Sequence, residues 1–169
     1  GGFIYMNRGL IERAMNMSQV AGVLGHEIGH VTMRHSIQQM QKAQGANVGM
    51  TAVCVLTSIC NNQATSAAIQ LGAGAAFASF SRSDEDEADA EGVKYTIAAG
   101  IDPNGIPEMF QILLDERKTK PDALESWFRS HPLEESRIAA SRDRIAKYPV
   151  ESLRGLTKDS PNFQAFKKR

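Results

Sequence analysis

HEIGH, residues 26–30, sets two imidazoles four positions apart with a carboxylate directly after the first. On a helix four residues advance about 400°, so His26 and His30 project along nearly one line, roughly a turn apart. That spacing lets two ring nitrogens reach one Zn²⁺ at about 2.0–2.1 Å each. Glu27 is rotated about 100° away, too far round for an easy ligand but able to lean over a water at such an ion. A catalytic zinc needs three protein ligands and one open position, so the pentapeptide poses the question of a third ligand.

The sequence around it reads as a long helix. Ser18 is a plausible N-cap, and SQVAGVLGHEIGHVTMRHSIQQMQKAQ, residues 18–44, continues to a stop at Gly45. Val20, Val23, Leu24, Ile28 and Val31 fall on one face of it. Gly22, Gly25 and Gly29 each cost up to about 1 kcal/mol inside a helix. Three of them predict that something packs very close.

A ligand from the same helix is not offered. The longer metzincin pattern needs glycine and histidine where this chain has Met33 and Ser36. His35 would lie about 140° round a straight helix from His30, which makes it a surface or packing histidine. EDEAD, residues 85–89, offers an alternative on a second helix: Glu85 and Asp89 share a face, the first able to bind a metal and the second to accept from a ligand histidine. The plain alternative is a solvated acidic helix start, since six of residues 84–91 are acidic.

Elsewhere the signals are structural. GGFIYMNRGL, residues 1–10, reads as mid-fold sequence, a strand over Phe3–Met6 followed by an Asn-Arg-Gly turn. It predicts a fragment lacking an N-terminal segment. Ser83 reads as the cap of the acidic helix and Gly100 as its end. Asp102–Gly105 reads as a turn, Pro107 as the first turn of a helix running to about Lys118. A short segment near Trp127, a helix over Glu134–Lys147 and a short tail helix complete a mostly α chain with a small sheet at its start. Residues 43–81 carry no charge. Their longest run free of Asn and Gln, VGMTAVCVLTSIC, falls short of the roughly 20 residues a membrane span needs, so they read as two buried or semi-buried helical segments, with membrane contact not favoured. Cys54 and Cys60, outside any CxxC pattern, read as small buried thiols ahead of a disulfide. With 169 residues and 19 charges of each sign, the chain reads as one domain and not as a nucleic-acid binder or polybasic anchor.

HEIGH, then SRSDEDEAD, then SHPLEESR, in this order and with this lead-in, resemble the zinc metallopeptidase family M48, which holds the type-one CAAX prenyl protease, HtpX and the periplasmic BepA and LoiP proteases. The soluble BepA-type domain is the most similar. The resemblance implies an α+β, mostly α, zincin-like domain over residues 1–169, with a small N-terminal sheet edge and the HExxH motif on its active-site helix. It implies one Zn²⁺ per chain held by His26, His30 and Glu85, with Glu27 as general base and Asp89 as a carboxylate behind the ligands. Within HP-x-x-x-x-R it implies a role near the metal for His131, as oxyanion donor or latch, while Arg137 orients Glu85 or Asp89 or only pairs with Glu134. Gln19 departs from the acidic residue common there and is expected to lie outside the chemistry. Substrate would be a polypeptide added as an extended strand along Gly2, Phe3, Ile4 and Tyr5, in the bacterial periplasm or envelope. The rival readings are a non-catalytic or latent chaperone-like zinc module and a membrane-embedded protease.

Overall fold

Three glycines on one helix predict a close neighbour, and in the computed structural model that neighbour is the acidic helix. The structure describes residues 2–57, 60, 67, 79–120 and 125–168. Its helices are α1 (Arg8–Arg13), α2 (Met17–Thr32), α3 (His35–Thr57), α4 (Arg82–Ala98), α5 (Gly105–Thr119), α6 (Glu125–Ser130), α7 (Glu135–Ala146), α8 (Val150–Leu153) and α9 (Pro161–Lys167). Helix α2 crosses α4 so tightly that a Cβ on Gly25 would lie 3.0 Å from the Gly92 carbonyl oxygen, and one on Gly29 would lie 2.9 Å from that of Ala88. Gly22 meets Ile106 of α5 in the same manner.

The buried face of α2 is therefore Ser18, Gln19, Gly22, Val23, Gly25, His26, Gly29 and His30. The apolar face expected from periodicity is mostly the wrong one: Val23 is buried, but Leu24, Ile28 and Val31 are exposed. Close backbone approach along the glycines outweighs the burial of larger apolar side chains. Below this contact lies an apolar core of Leu10, Val23, Val93, Ile106, Met109, Phe110, Leu113, Trp127, Leu133, Ile138 and Ile145, which joins α5 and α7 beneath the site.

Capping sets where the two key helices begin. Asn16, not Ser18, caps α2, its Oδ1 accepting from Gln19 N and from the Ser18 hydroxyl. Ser81, not Ser83, caps α4 in a reciprocal capping box with Asp84. Gly100 ends α4 at φ +72°, with Ile101 N donating back to Thr96 O, the closure a left-handed glycine allows. Asp102 Oδ1 accepts from Asn104 N ahead of α5, as the turn reading requires. The tail returns to α2: Ser18 N donates to Lys158 O, and Met17 N to Asp159 Oδ1.

Four further expectations are corrected. Residues 3–6 form no strand: among the described residues the only β pairing is a parallel bridge between Ile101 and Thr157, and strands without partners and an apolar face to pack are not stable in water. Asn7 instead caps α1, its side chain accepting from Gly9 N. The helix carrying HEIGH does not run on to Gly45. It stops at Thr32, Arg34 takes φ +59°, and α3 starts afresh at His35 and passes through Gly45 to Thr57. Residues 43–57 are not buried, because only His35 is buried among the residues of α3; the second expected segment falls mainly outside the described residues. Cys54 and Cys60 form a disulfide, their Cα atoms 5.1 Å apart, within the usual span. No described helix is long and apolar enough to cross a membrane.

Candidate metal centre

Each half of the centre comes from one side of the glycine contact. Helix α2 supplies His26, Glu27 and His30, and α4 supplies Glu85 and Asp89. The loop after α6 brings His131, and α7 brings Arg137. Because no side chain separates α2 from α4 at Gly25, Gly29 and Gly92, the ligand-type groups meet directly.

His26, His30, Glu85 and His131 are all buried, and one donor atom from each lies within 4.8 Å of the others. His26 Nε2 is 3.0 Å from His30 Nε2 and 3.5 Å from Glu85 Oε2, and His30 Nε2 is 3.3 Å from Glu85 Oε1. Four donors placed tetrahedrally at about 2.0–2.1 Å from an ion stand about 3.3 Å apart. The three observed separations bracket that value, so the residues fit a divalent cation. Glu85 Oε2 adds to the fit. It is buried and accepts no aligned hydrogen bond, although Arg137 Nη1 approaches it as an ion pair at 2.5 Å.

The protonation pattern agrees. Burial alone would raise the Glu85 carboxyl, but contacts from His131 and His30, and the charge of Arg137, hold it well below the ordinary carboxylate range. Burial pushes the His30 imidazole below its usual value. Asp89 is likewise held low against burial by hydrogen bonds from His26 and Arg137. Ionised carboxylates beside a neutral imidazole are the state a cation requires.

Surrounding groups orient these donors. Asp89 Oδ1 accepts from His26 Nδ1 at 2.8 Å, directing His26 Nε2 and its lone pair toward the cluster. Arg137 spans both Asp89 oxygens at 2.8 and 2.7 Å, donates to Pro132 O and lies over the Phe110 ring. Its guanidinium pairs with Glu85 and Asp89 and not with the Glu134 carboxylate. Arg82 takes Glu134 instead. His131 stacks on Trp127, with Nδ1 3.0 Å from Glu85 Oε1 and Nε2 3.6 Å from Glu27 Oε1. Glu27 is half-buried at the edge of the cluster.

Two neighbours escaped the sequence reading. His35 is buried, with Nδ1 2.9 Å from His30 Nδ1, and Phe80 stacks on the His30 ring at 4.0 Å. Neither position carried a motif, and the turn that brings His35 there uses no glycine or proline. Gln19 stays clear of the cluster, accepting from Met15 N and donating to Glu108. Gly2, Phe3, Ile4 and Tyr5 are not brought into the cluster; Phe3 and Tyr5 face solvent.

Comparison with known proteins points the same way. The model of Peptidase family M48 matches residues 1–145. The chain is 35% identical over 153 residues to the beta-barrel assembly-enhancing protease of Escherichia coli O157:H7, covering 85% of this chain and 31% of that protein. It is 32% identical over 147 residues to metalloprotease YcaL of Escherichia coli K12, covering 86% of this chain and 56% of that protein. It is 31% identical over 145 residues to metalloprotease LoiP of the same strain, with the same two coverages. The chain thus spans about a third to a little over half of these relatives.

Proposed function

The chain belongs to Peptidase family M48, and from that membership we propose that it is a zinc-dependent endopeptidase acting on unfolded or misassembled envelope proteins. The observation that carries the reading is the approach of His26, His30 and Glu85 to one another beside Glu27. Two imidazoles and one carboxylate are a donor set suited to zinc. A zinc ion held by them would act as a Lewis acid, polarising the scissile carbonyl and making water at the site more acidic.

The chain's own groups do the rest. Glu27 takes a proton from the attacking water and returns it to the leaving amine. His131, whose Nε2 is near Glu27, donates to the oxyanion of the tetrahedral intermediate. Asp89 keeps His26 in the tautomer that offers Nε2, and Arg137 ties Asp89 and Glu85 into one arrangement. Gly2, Phe3, Ile4 and Tyr5, without a ladder partner among the described residues, are our candidates for backbone pairing with substrate. Periplasmic or envelope residence is supported by the likeness to the beta-barrel assembly-enhancing protease and by the Cys54–Cys60 disulfide, a bond that persists in oxidising compartments.

A second reading, a latent or non-catalytic zinc module, is favoured by one observation: His131 stands among the donors, and a fourth protein ligand closes a site. Zinc stoichiometry together with casein cleavage, with and without a chelator, separates the readings. We expect one zinc per chain, cleavage abolished by the chelator, and reduced zinc occupancy in Glu85→Ala. Unchanged zinc content in that variant would move the third ligand elsewhere, and zinc binding without cleavage would favour the latent module.

A further inference from the structure

We propose that His35 and Glu87 are positioning residues for His30, acting as a relay that holds its ring with the proton on Nδ1 and the lone pair on Nε2. The inference rests on the reading of His30 as a metal ligand. His30 Nε2 faces His26 and Glu85, so its Nδ1 must be satisfied from the other side. His35 Nδ1 lies there at 2.9 Å, on a ring buried to 1% exposure.

Two ring nitrogens at that distance share one proton. For His30 Nε2 to offer a lone pair to a cation, the proton sits on His30 Nδ1 and His35 Nδ1 accepts it. The remaining proton of neutral His35 is then on Nε2, 3.4 Å from Glu87 Oε2. A carboxylate at that end favours this tautomer, as Asp89 does directly for His26. His26 thus has a buried carboxylate behind it, and His30 has an imidazole leading to a half-exposed one.

The backbone is built for this placement. Along a straight helix His35 would point about 140° away from His30. Arg34 instead adopts φ +59°, a conformation that costs a non-glycine residue energy and persists where its surroundings impose it. The turn returns His35 to the face of α2 that carries the ligands, so the strained residue and the His30–His35 contact are two ends of one device.

The test compares zinc affinity, by competition with a chromophoric chelator, in the full chain and in His35→Phe, His35→Asn, Glu87→Leu and His30→Ala. Circular dichroism and urea unfolding report on the fold. We expect zinc binding to weaken about 10- to 100-fold in His35→Phe, to recover partly in His35→Asn, whose amide oxygen can accept from His30 Nδ1, and to weaken in Glu87→Leu. In the zinc-loaded chain, nitrogen-15 spectra should carry a slowly exchanging proton on His30 Nδ1 that His35→Phe loses. Should His35→Phe fail to fold, Glu87→Leu, altered on the surface, and the wild-type spectrum decide the matter. Unchanged affinity in folded His35→Phe or in Glu87→Leu, or a zinc-loaded chain with no proton on His30 Nδ1, overturns the relay. Unchanged affinity in His30→Ala overturns instead the reading of the site on which it rests.

Discussion

Gly25 and Gly92 face each other across the crossing of α2 and α4 with no side chain between them. This contact sets the distance from His26 to Glu85 and Asp89, because each glycine lies within a few residues of a group in the centre. A methyl group there must push on backbone, which cannot rotate aside. Gly25→Ala should cost about 1–3 kcal/mol, the scale of overpacking a well-filled contact, and should weaken zinc binding as the helices part. Gly45→Ala is the counter-test. Nothing lies near a Cβ at that position in α3, so alanine there should stabilise the chain by up to about 1 kcal/mol. Urea midpoints shifted in opposite directions from the parent chain would bear out the contrast, and equal shifts would refute it.

Glu27→Gln should retain zinc and the urea midpoint of the parent chain yet lose at least about 10²-fold in casein cleavage, the usual contribution of a general base. Cleavage at the parent rate would remove Glu27 from the chemistry.

Arg137 is the single cation contacting both Glu85 and Asp89 among the described residues. Arg137→Ala leaves two buried carboxylates facing each other without it, which should destabilise the metal-free chain by about 3–5 kcal/mol. Arg137→Lys should recover only part of that, because an ammonium cannot span both Asp89 oxygens as a guanidinium does. If the centre holds zinc as proposed, excess zinc should narrow the loss in both variants, because an ion bound by the folded chain favours it. Chemical unfolding with and without zinc measures all three.

Acid should loosen the tie between α5 and the tail. Burial would raise the Glu108 carboxyl, but hydrogen bonds from Lys158, Gln19 and Asn16 outweigh it and hold the group below its ordinary range. A carboxyl depressed in the folded chain stabilises it above the unfolded value of about 4.3, and that contribution fades as pH falls through the folded value. The stability difference between the parent chain and Glu108→Gln should therefore be full at pH 6 and shrink steadily below about pH 4. A difference that does not depend on pH would refute the assignment.

The placement of the candidate donors is legible because it depends on spacing within helices. His26 and His30 share a line on α2, and Glu85 and Asp89 share one on α4, whatever the rest of the chain does. The glycines of α2 were legible for a similar reason: repeated cost inside a helix implies a compensating contact, and α4 provides it. The failures share a different cause. Leu24, Ile28 and Val31 satisfy helical periodicity, but periodicity identifies a face and cannot say whether the apolar or the small-residue face meets the partner. The turn at Arg34 has no glycine or proline to announce it, so periodicity carries His35 along a helix that in fact stops at Thr32. The strand at Phe3–Met6 needs a partner that local sequence cannot supply, and the pairing of Cys54 with Cys60 is announced by no motif.

The donors of the centre are drawn from points as far apart along the chain as His26 and His131, separated by 105 residues. Synthesis runs from one end, so HEIGH leaves the ribosome long before the residues that complete its surroundings. Until Arg137 has followed, the early imidazoles lack both carboxylates' full support, and until Lys158 and Asp159 emerge, the start of α2 lacks its tether. The cluster and its tether are therefore complete only once residues 17–159 have all been made.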